Sequence, residues 1–259
     1  MTTLLPDLAT ARRTVLEVAA APGRVHVRTS CAGDPATPCL RPMLLESGPS
    51  AARVALVPDG ALLLAGDAIR LDVRVGRGTR LELVEPAGTV AFDMRGGSAR
   101  WDVTIDLDTD AVLVWAGEPF VLAAGSRVRR RTTVRMAAGA RLALRETLVL
   151  GRHRERGGVL DQTFAGYDEQ GDPILVEQLT LDDHVHRPGV LGGRRAVGSV
   201  VALGIDVEEA LCVDGRMDLE RGGSVWRGLD HDAHLAVPSD AWRAVLEASR
   251  APRGPRSHE

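Results

Sequence analysis

The feature that most narrows what this chain can fold into is a strict alternation of apolar and polar residues, broken by small-residue turns and recurring at a near-constant interval. Leu71, Val73 and Val75 share one face of a segment whose other face carries Arg70, Asp72 and Arg74. Period-two alternation is the signature of a half-buried strand. Gly76 and Gly78 interrupt it, and Arg80 to Val84 resumes it through Leu81 and Leu83. Val103, Ile105 and Leu107 repeat the pattern around Thr104 and Asp106. The run Val73-Arg74-Val75-Gly76-Arg77-Gly78-Thr79-Arg80-Leu81-Glu82-Leu83 resembles Val134-Arg135-Met136-Ala137-Ala138-Gly139-Ala140-Arg141-Leu142-Ala143-Leu144, with Glu85 and Glu146 at matching places. Ile105 to Trp115 is a weaker third copy between them. A strand-turn-strand unit recurring about every 30 residues cannot bury its apolar face alone, so the units must stack.

Other segments fit the same frame. Val112 to Trp115 is apolar throughout and predicts a strand covered on both faces. Val25 to Thr29, Ile174 to Leu181 and Arg195 to Leu203 predict further strands. Cys31 to Pro49 is rich in Pro, Gly and Ser and predicts a loop. Helices are expected at Asp206 to Leu211, with Asp206 as cap, and at Ser239 to Arg250, with Ser239 as cap. Two short helices cannot cover a sheet of this extent, so the core is expected to be sheet on sheet. Residues 1–250 are expected to form one mainly β domain, and residues 251–259, with two prolines, a disordered tail.

Composition excludes several chemistries. All 32 basic residues are Arg, and Asn is absent as well. Without Lys there is no P-loop lysine and no amine for a Schiff base. A net charge of −3 gives no reason to expect nucleic acid or an anionic membrane as partner. Cys31, Cys39 and Cys212 are too few for a disulfide framework. The start of the chain lacks the pattern of a secretory leader, and there is no apolar run long enough for a membrane-spanning helix. A cytoplasmic location is therefore expected.

Candidate chemistry is sparse. His184 and His186 lie two apart, so on a strand both imidazoles share a side, and imidazole with carboxylate is a set that nickel accepts. His231 and His234 would share a face on a helix. Neither pair brings four close ligands, and surface histidines are the plainer reading. Cys31 and Cys39 would need a folded-back loop to join such a site, and Cys212 reads as a buried thiol. Acids stand at strand ends: Asp67, Glu85, Asp93, Glu118, Glu146 and Glu177. Acid-base work would need two of them in one cleft, and nothing in the sequence shows convergence.

The order and spacing of several segments add a family resemblance. Leu63-Leu64-Ala65-Gly66-Asp67, followed by an alternating strand, resembles the urease accessory protein D family, UreD. So does Arg145-Glu146-Thr147-Leu148-Val149-Leu150-Gly151-Arg152, similar to the family's W-E-x-x-x-x-G-R segment with Arg145 in place of Trp. Gly157-Gly158, the strand pair Phe164 to Leu181, Ser224-Val225-Trp226-Arg227-Gly228-Leu229 and the Trp-bearing final helix fit as well. A family segment with Lys and Tyr reads here Val84 to Arg95, with Phe92 for Tyr and no Lys, as in a divergent branch. The resemblance implies a helically wound, two-layered β fold with about two short helices. It implies a non-enzymatic chaperone that works with UreF and the GTPase UreG to deliver nickel to apo-urease. Nickel would be transient and no cofactor tightly bound. Acids lining a nickel passage would map to Asp67 and Glu146, and more loosely to Glu177. The competing readings are a metal-dependent enzyme using His184, His186 and nearby acids, and an interaction scaffold unrelated to nickel.

Overall fold

The computed structural model describes residues 6–9, 11–60, 62–182, 184–185, 190–208 and 214–251. The first part of the chain supplies β1 (Arg12–Ala21), β2 (Arg24–Ala32), β3 (Cys39–Ser47), β4 (Ala51–Asp59), β5 (Ala68–Val75), β6 (Arg80–Val84) and β7 (Thr89–Ala91). The middle supplies β8 (Ala99–Leu107), β9 (Val112–Leu122), β10 (Arg127–Met136), β11 (Arg141–Leu150), β12 (Val159–Asp168) and β13 (Pro173–Leu181). The last part supplies β14 (Ala196–Leu203), β15 (Arg216–Asp218), β16 (Gly223–Asp230), α1 (Ala233–Ala236) and α2 (Ser239–Arg250).

These strands form two layers. The first has seven strands in the order β13-β12-β10-β8-β5-β1-β2. The second has nine, in the order β15-β16-β14-β11-β9-β6-β4-β3, with β7 beside β9. The chain passes from first to second layer at the turns β5–β6, β8–β9 and β10–β11. Neighbouring strands from successive turns of this winding are parallel, and antiparallel hairpins flank them. The repeat seen in the sequence is stacked in register: Val73 lies against Ile105 and Ile105 against Val134. In the other layer Leu81 lies against Leu113 and Leu113 against Leu142. Equivalent turn residues take left-handed backbone conformations, Gly78 (φ 63), Asp110 (φ 55) and Gly139 (φ 75). Gly adopts this freely and Asp with modest strain, so each copy reverses within four residues.

One apolar cluster fills the space between the layers and includes Leu16, Val73, Ile105 and Val134 with Leu83, Leu113, Leu142 and Val201. A second cluster lies on the outer face of the larger layer, where Trp242 and Val245 of α2 cover Val112, Val114, Val200 and Trp226. Val112 to Trp115 is therefore buried on both faces, as its unbroken apolarity predicts, and all of β14 is buried.

Three local expectations are corrected. Residues 39–47 are not loop but strand β3, paired with β4. β3 ends its sheet, and an edge strand tolerates Pro42, whose missing N–H disguised it. Asp206 to Glu208 are not helical; Ile205 and Val207 are both buried, so alternate residues face the core. Glu209 to Leu211 lie outside the described residues. Ser239 is the first helical residue of α2 rather than its cap; Pro238 holds the cap position and its carbonyl accepts from the Trp242 N–H. Of the expected tail, residues 251–259, only Ala251 is described; residues 252–259 lie outside the described residues. No helix of the described chain is long and apolar enough to cross a membrane.

Candidate functional site

The apolar filling between the layers is interrupted at the level of Arg130. β10 carries Val128, Arg130, Thr132, Val134 and Met136 in one phase, so Arg130 takes a position its neighbours use for the core. Opposite it, β11 carries Leu144, Glu146 and Leu148 in phase. Glu85, just past β6, and Glu118 of β9 reach the same level. Arg130, Glu85, Glu118 and Glu146 line a cavity of about 20 Å³ together with Trp101, Trp115 and Phe120. That volume holds a single water or a small ion. Three of the strand-end acids named from the sequence thus converge.

A β-bulge helps to aim them. The β9–β11 register shifts between Arg145 and Thr147, so Gly117 and Glu118 together face Glu146. Bulges commonly re-aim side chains beside functional sites. A Cβ on Gly117 would stand 2.7 Å from the Arg145 carbonyl oxygen, which explains the small residue there.

The polar groups are densely paired. Arg130 Nη1 donates to Glu146 Oε1 at 2.5 Å, and these side chains are 12% and 14% exposed. Gln162 Nε2 donates to Glu146 Oε2 at 2.7 Å, and Gln162 Oε1 accepts from Arg130 Nη1 at 3.3 Å. The guanidinium lies 5.0 Å from the Phe120 ring centre and 5.8 Å from that of Trp101. Those rings meet edge to face, 5.9 Å apart. Such cation–π contacts strengthen when shielded from water. Two buried donors, Arg130 Nε–H and Trp101 Nε1–H, have no partner.

Glu85 accepts the Trp115 Nε1–H at 2.9 Å and the Glu118 backbone N–H at 3.1 Å. Burial pushes its carboxyl above the usual range, and these bonds with the nearby Arg130 charge offset part of that rise. Arg145 donates to the Gly117 carbonyl at 3.2 Å and to Glu118 at 3.3 Å, and its guanidinium lies 5.6 Å from the Trp242 ring centre. It joins the cavity wall to α2.

The sequence-named passage residues are distributed unequally. Glu146 is central. Glu177 on β13 pairs with Arg227 of β16, bridging the two layers near their edge. Arg227 lies against Ser199, and Ser199 against Glu146, so Glu146 and Arg227 share one row across the larger layer. Asp67 stands apart, in the turn before β5, where its Oδ2 accepts the Leu64 N–H at 2.7 Å. Burial raises its pKa despite that bond.

The remaining candidates do not join this row. His184 is exposed in a turn, its backbone N–H donating to Asp182 Oδ1 at 2.8 Å, and His186 lies outside the described residues. α1 begins at Ala233, so His231 precedes it and does not share a helical face with His234. Cys39 is buried, which pushes its thiol up to about 11, and Cys31 lies 3.8 Å from the Leu40 carbonyl oxygen. Cys212 lies outside the described residues. Among the described residues no group of three or more His, Cys, Asp and Glu is close enough to hold a metal ion. Arg130, the centre of the site, was missed in the sequence; its signal is an Arg in the apolar phase of an otherwise regular strand.

Comparison with known proteins identifies the family to which the chain is similar. The family model described as UreD urease accessory protein matches residues 13–248. Urease accessory protein UreD 1 of Streptomyces griseus is 54% identical over 155 residues, 59% of this chain and 60% of that protein. UreD of Frankia alni is 40% identical over 169 residues, 58% of this chain and 57% of that protein. UreD 2 of Saccharopolyspora erythraea is 35% identical over 178 residues, 62% of each chain. These matches span less than two thirds of the relatives' own length.

Proposed function

The chain belongs to the UreD family of urease accessory proteins, and from that premise we propose that it is a maturation chaperone acting with UreF and the GTPase UreG to insert nickel into apo-urease. It makes and breaks no bonds itself. The absence of Lys, and with it of a P-loop, supports leaving nucleotide chemistry to a partner. Nickel is cargo, carried between the two layers.

The observation that supports the passage most is the row of polar groups between the layers: Glu85, Glu118 and Glu146 around one cavity, continuing through the buried Ser199 to the partly exposed Arg227–Glu177 pair at the edge. An all-β core has no structural need for such a row, because burying charge costs free energy that apolar side chains avoid. Carboxylates are hard donors that hold nickel less tightly than thiolates would, which suits transit. Asp67 is assigned to the passage on its place in the family motif; the cavity lies elsewhere.

The test is co-purification of the full chain with UreF and UreG, followed by urease activation with nickel and GTP. The complex is expected to form and to activate urease, and Glu146→Gln and Glu177→Gln to cut the nickel content of urease at least tenfold. Failure to co-purify retires the partner assignment. Unchanged nickel content with both Asp67→Ala and Glu146→Gln retires the passage.

A further inference from the structure

We infer that Arg130 is the resident counter-cation of this passage, a group that a divalent cation has to displace from Glu146 before it can bind there. The inference rests on the passage reading above and adds its regulation. Both Glu146 oxygens are engaged, one by Arg130 and one by Gln162. A divalent ion therefore meets a neutralised carboxylate and, beside it, a cation shielded from solvent that repels it. In a poorly solvated interior that repulsion is far stronger than in water. Guanidinium and metal exclude each other.

The surroundings suit a guanidinium that gives up its carboxylate. The Phe120 and Trp101 rings hold it from the side by contacts that do not depend on Glu146. Glu146 can then turn toward the cavity while the charge of Arg130 stays stabilised. The unpartnered Arg130 Nε–H and Trp101 Nε1–H donors belong to cavity-lining residues. Buried donors of this kind call for an acceptor oxygen, such as a free water that the arriving ion would displace. The cavity has room for one. Arg130 touches no reacting atom; it acts through Glu146, as a positioning residue.

Calorimetric titration of the full chain with nickel chloride tests this. Arg130→Met is expected to bind nickel at least tenfold more tightly than the unaltered chain, and adding Glu146→Gln to abolish the gain. If Arg130→Met fails to fold, Arg130→Gln serves: it removes the charge but keeps a hydrogen-bond donor for Glu146, and a gain of at least threefold is expected. Equal affinity in whichever variant folds, or a gain that survives Glu146→Gln, overturns the inference. Tighter binding by Arg130→Met with urease maturation unaffected by Glu146→Gln would retire the passage and leave Arg130 guarding a cation site of another purpose. Loss of maturation in Glu146→Gln with no change of affinity in Arg130→Met would retire the counter-cation alone.

Discussion

A single buried carboxyl shows how the cavity shapes the behaviour of its residues. Glu85 carries a carboxyl whose folded-state pKa lies above its ordinary 4.5, because burial penalises the anion more than its hydrogen bonds and the Arg130 charge favour it. The folded chain therefore binds a proton at Glu85 more readily than the unfolded chain. The stability this adds is full below pH 4.5 and is lost as pH rises through the higher folded value. Glu85→Gln removes the ionisation while keeping one acceptor for the Trp115 N–H. Thermal melts should show the unaltered chain losing stability relative to Glu85→Gln between pH 4.5 and neutrality. A constant difference across that range would mean that the burial of Glu85 does not govern its ionisation. None of this could be read from the sequence, where Glu85 was one of six acids at strand ends. Its role depends on Glu118 and Trp115, about 30 residues away and brought close by one turn of the winding.

The elements were far more legible than the site, because their information is local. The alternations of β5, β6 and β8 report burial directly, and the repeat that joins β5–β6 to β10–β11 gives the register in which β8 stacks between them. β3 was missed for a physical reason: Met43, Leu44 and Leu45 are all exposed on an edge strand, so no apolar alternation marks it. The docking of α1 was equally hidden. Gly198 of β14 lies against Gly228 of β16, and a Cβ on either would stand 2.1 or 2.2 Å from the Ala236 carbonyl oxygen. This glycine pair makes a flat seat on which the carbonyl end of α1 rests. Gly198→Ala must push α1 away or distort two strands, and should lower unfolding free energy by about 1–3 kcal/mol, as overpacking does. Denaturant unfolding monitored by circular dichroism measures it. An effect below about 0.5 kcal/mol, typical of surface sites, would mean that α1 adjusts freely.

At the scale of the whole molecule, the winding makes a stable body without the polar row. Stacked copies bury Val73, Ile105 and Val134 in one layer and Leu81, Leu113 and Leu142 in the other, a continuous apolar filling. Into this the chain sets Arg130, Glu146 and Gln162, three groups that pair with one another across the layers. A buried ion pair with good geometry roughly breaks even against its desolvation, and a well-packed apolar replacement is often neutral or stabilising by about 1–4 kcal/mol. Removing one partner alone is different, since it strands a charge at a cost of about 3–5 kcal/mol. The combined variant Arg130→Met, Glu146→Leu, Gln162→Leu should therefore unfold at the same denaturant concentration as the unaltered chain or higher, while Glu146→Leu alone unfolds earlier. If the row serves cargo rather than folding, the same triple variant should lose its support of urease maturation while keeping its fold. A triple variant that unfolds as easily as the single one would assign the row to the architecture, and the case for a passage would lose its physical footing.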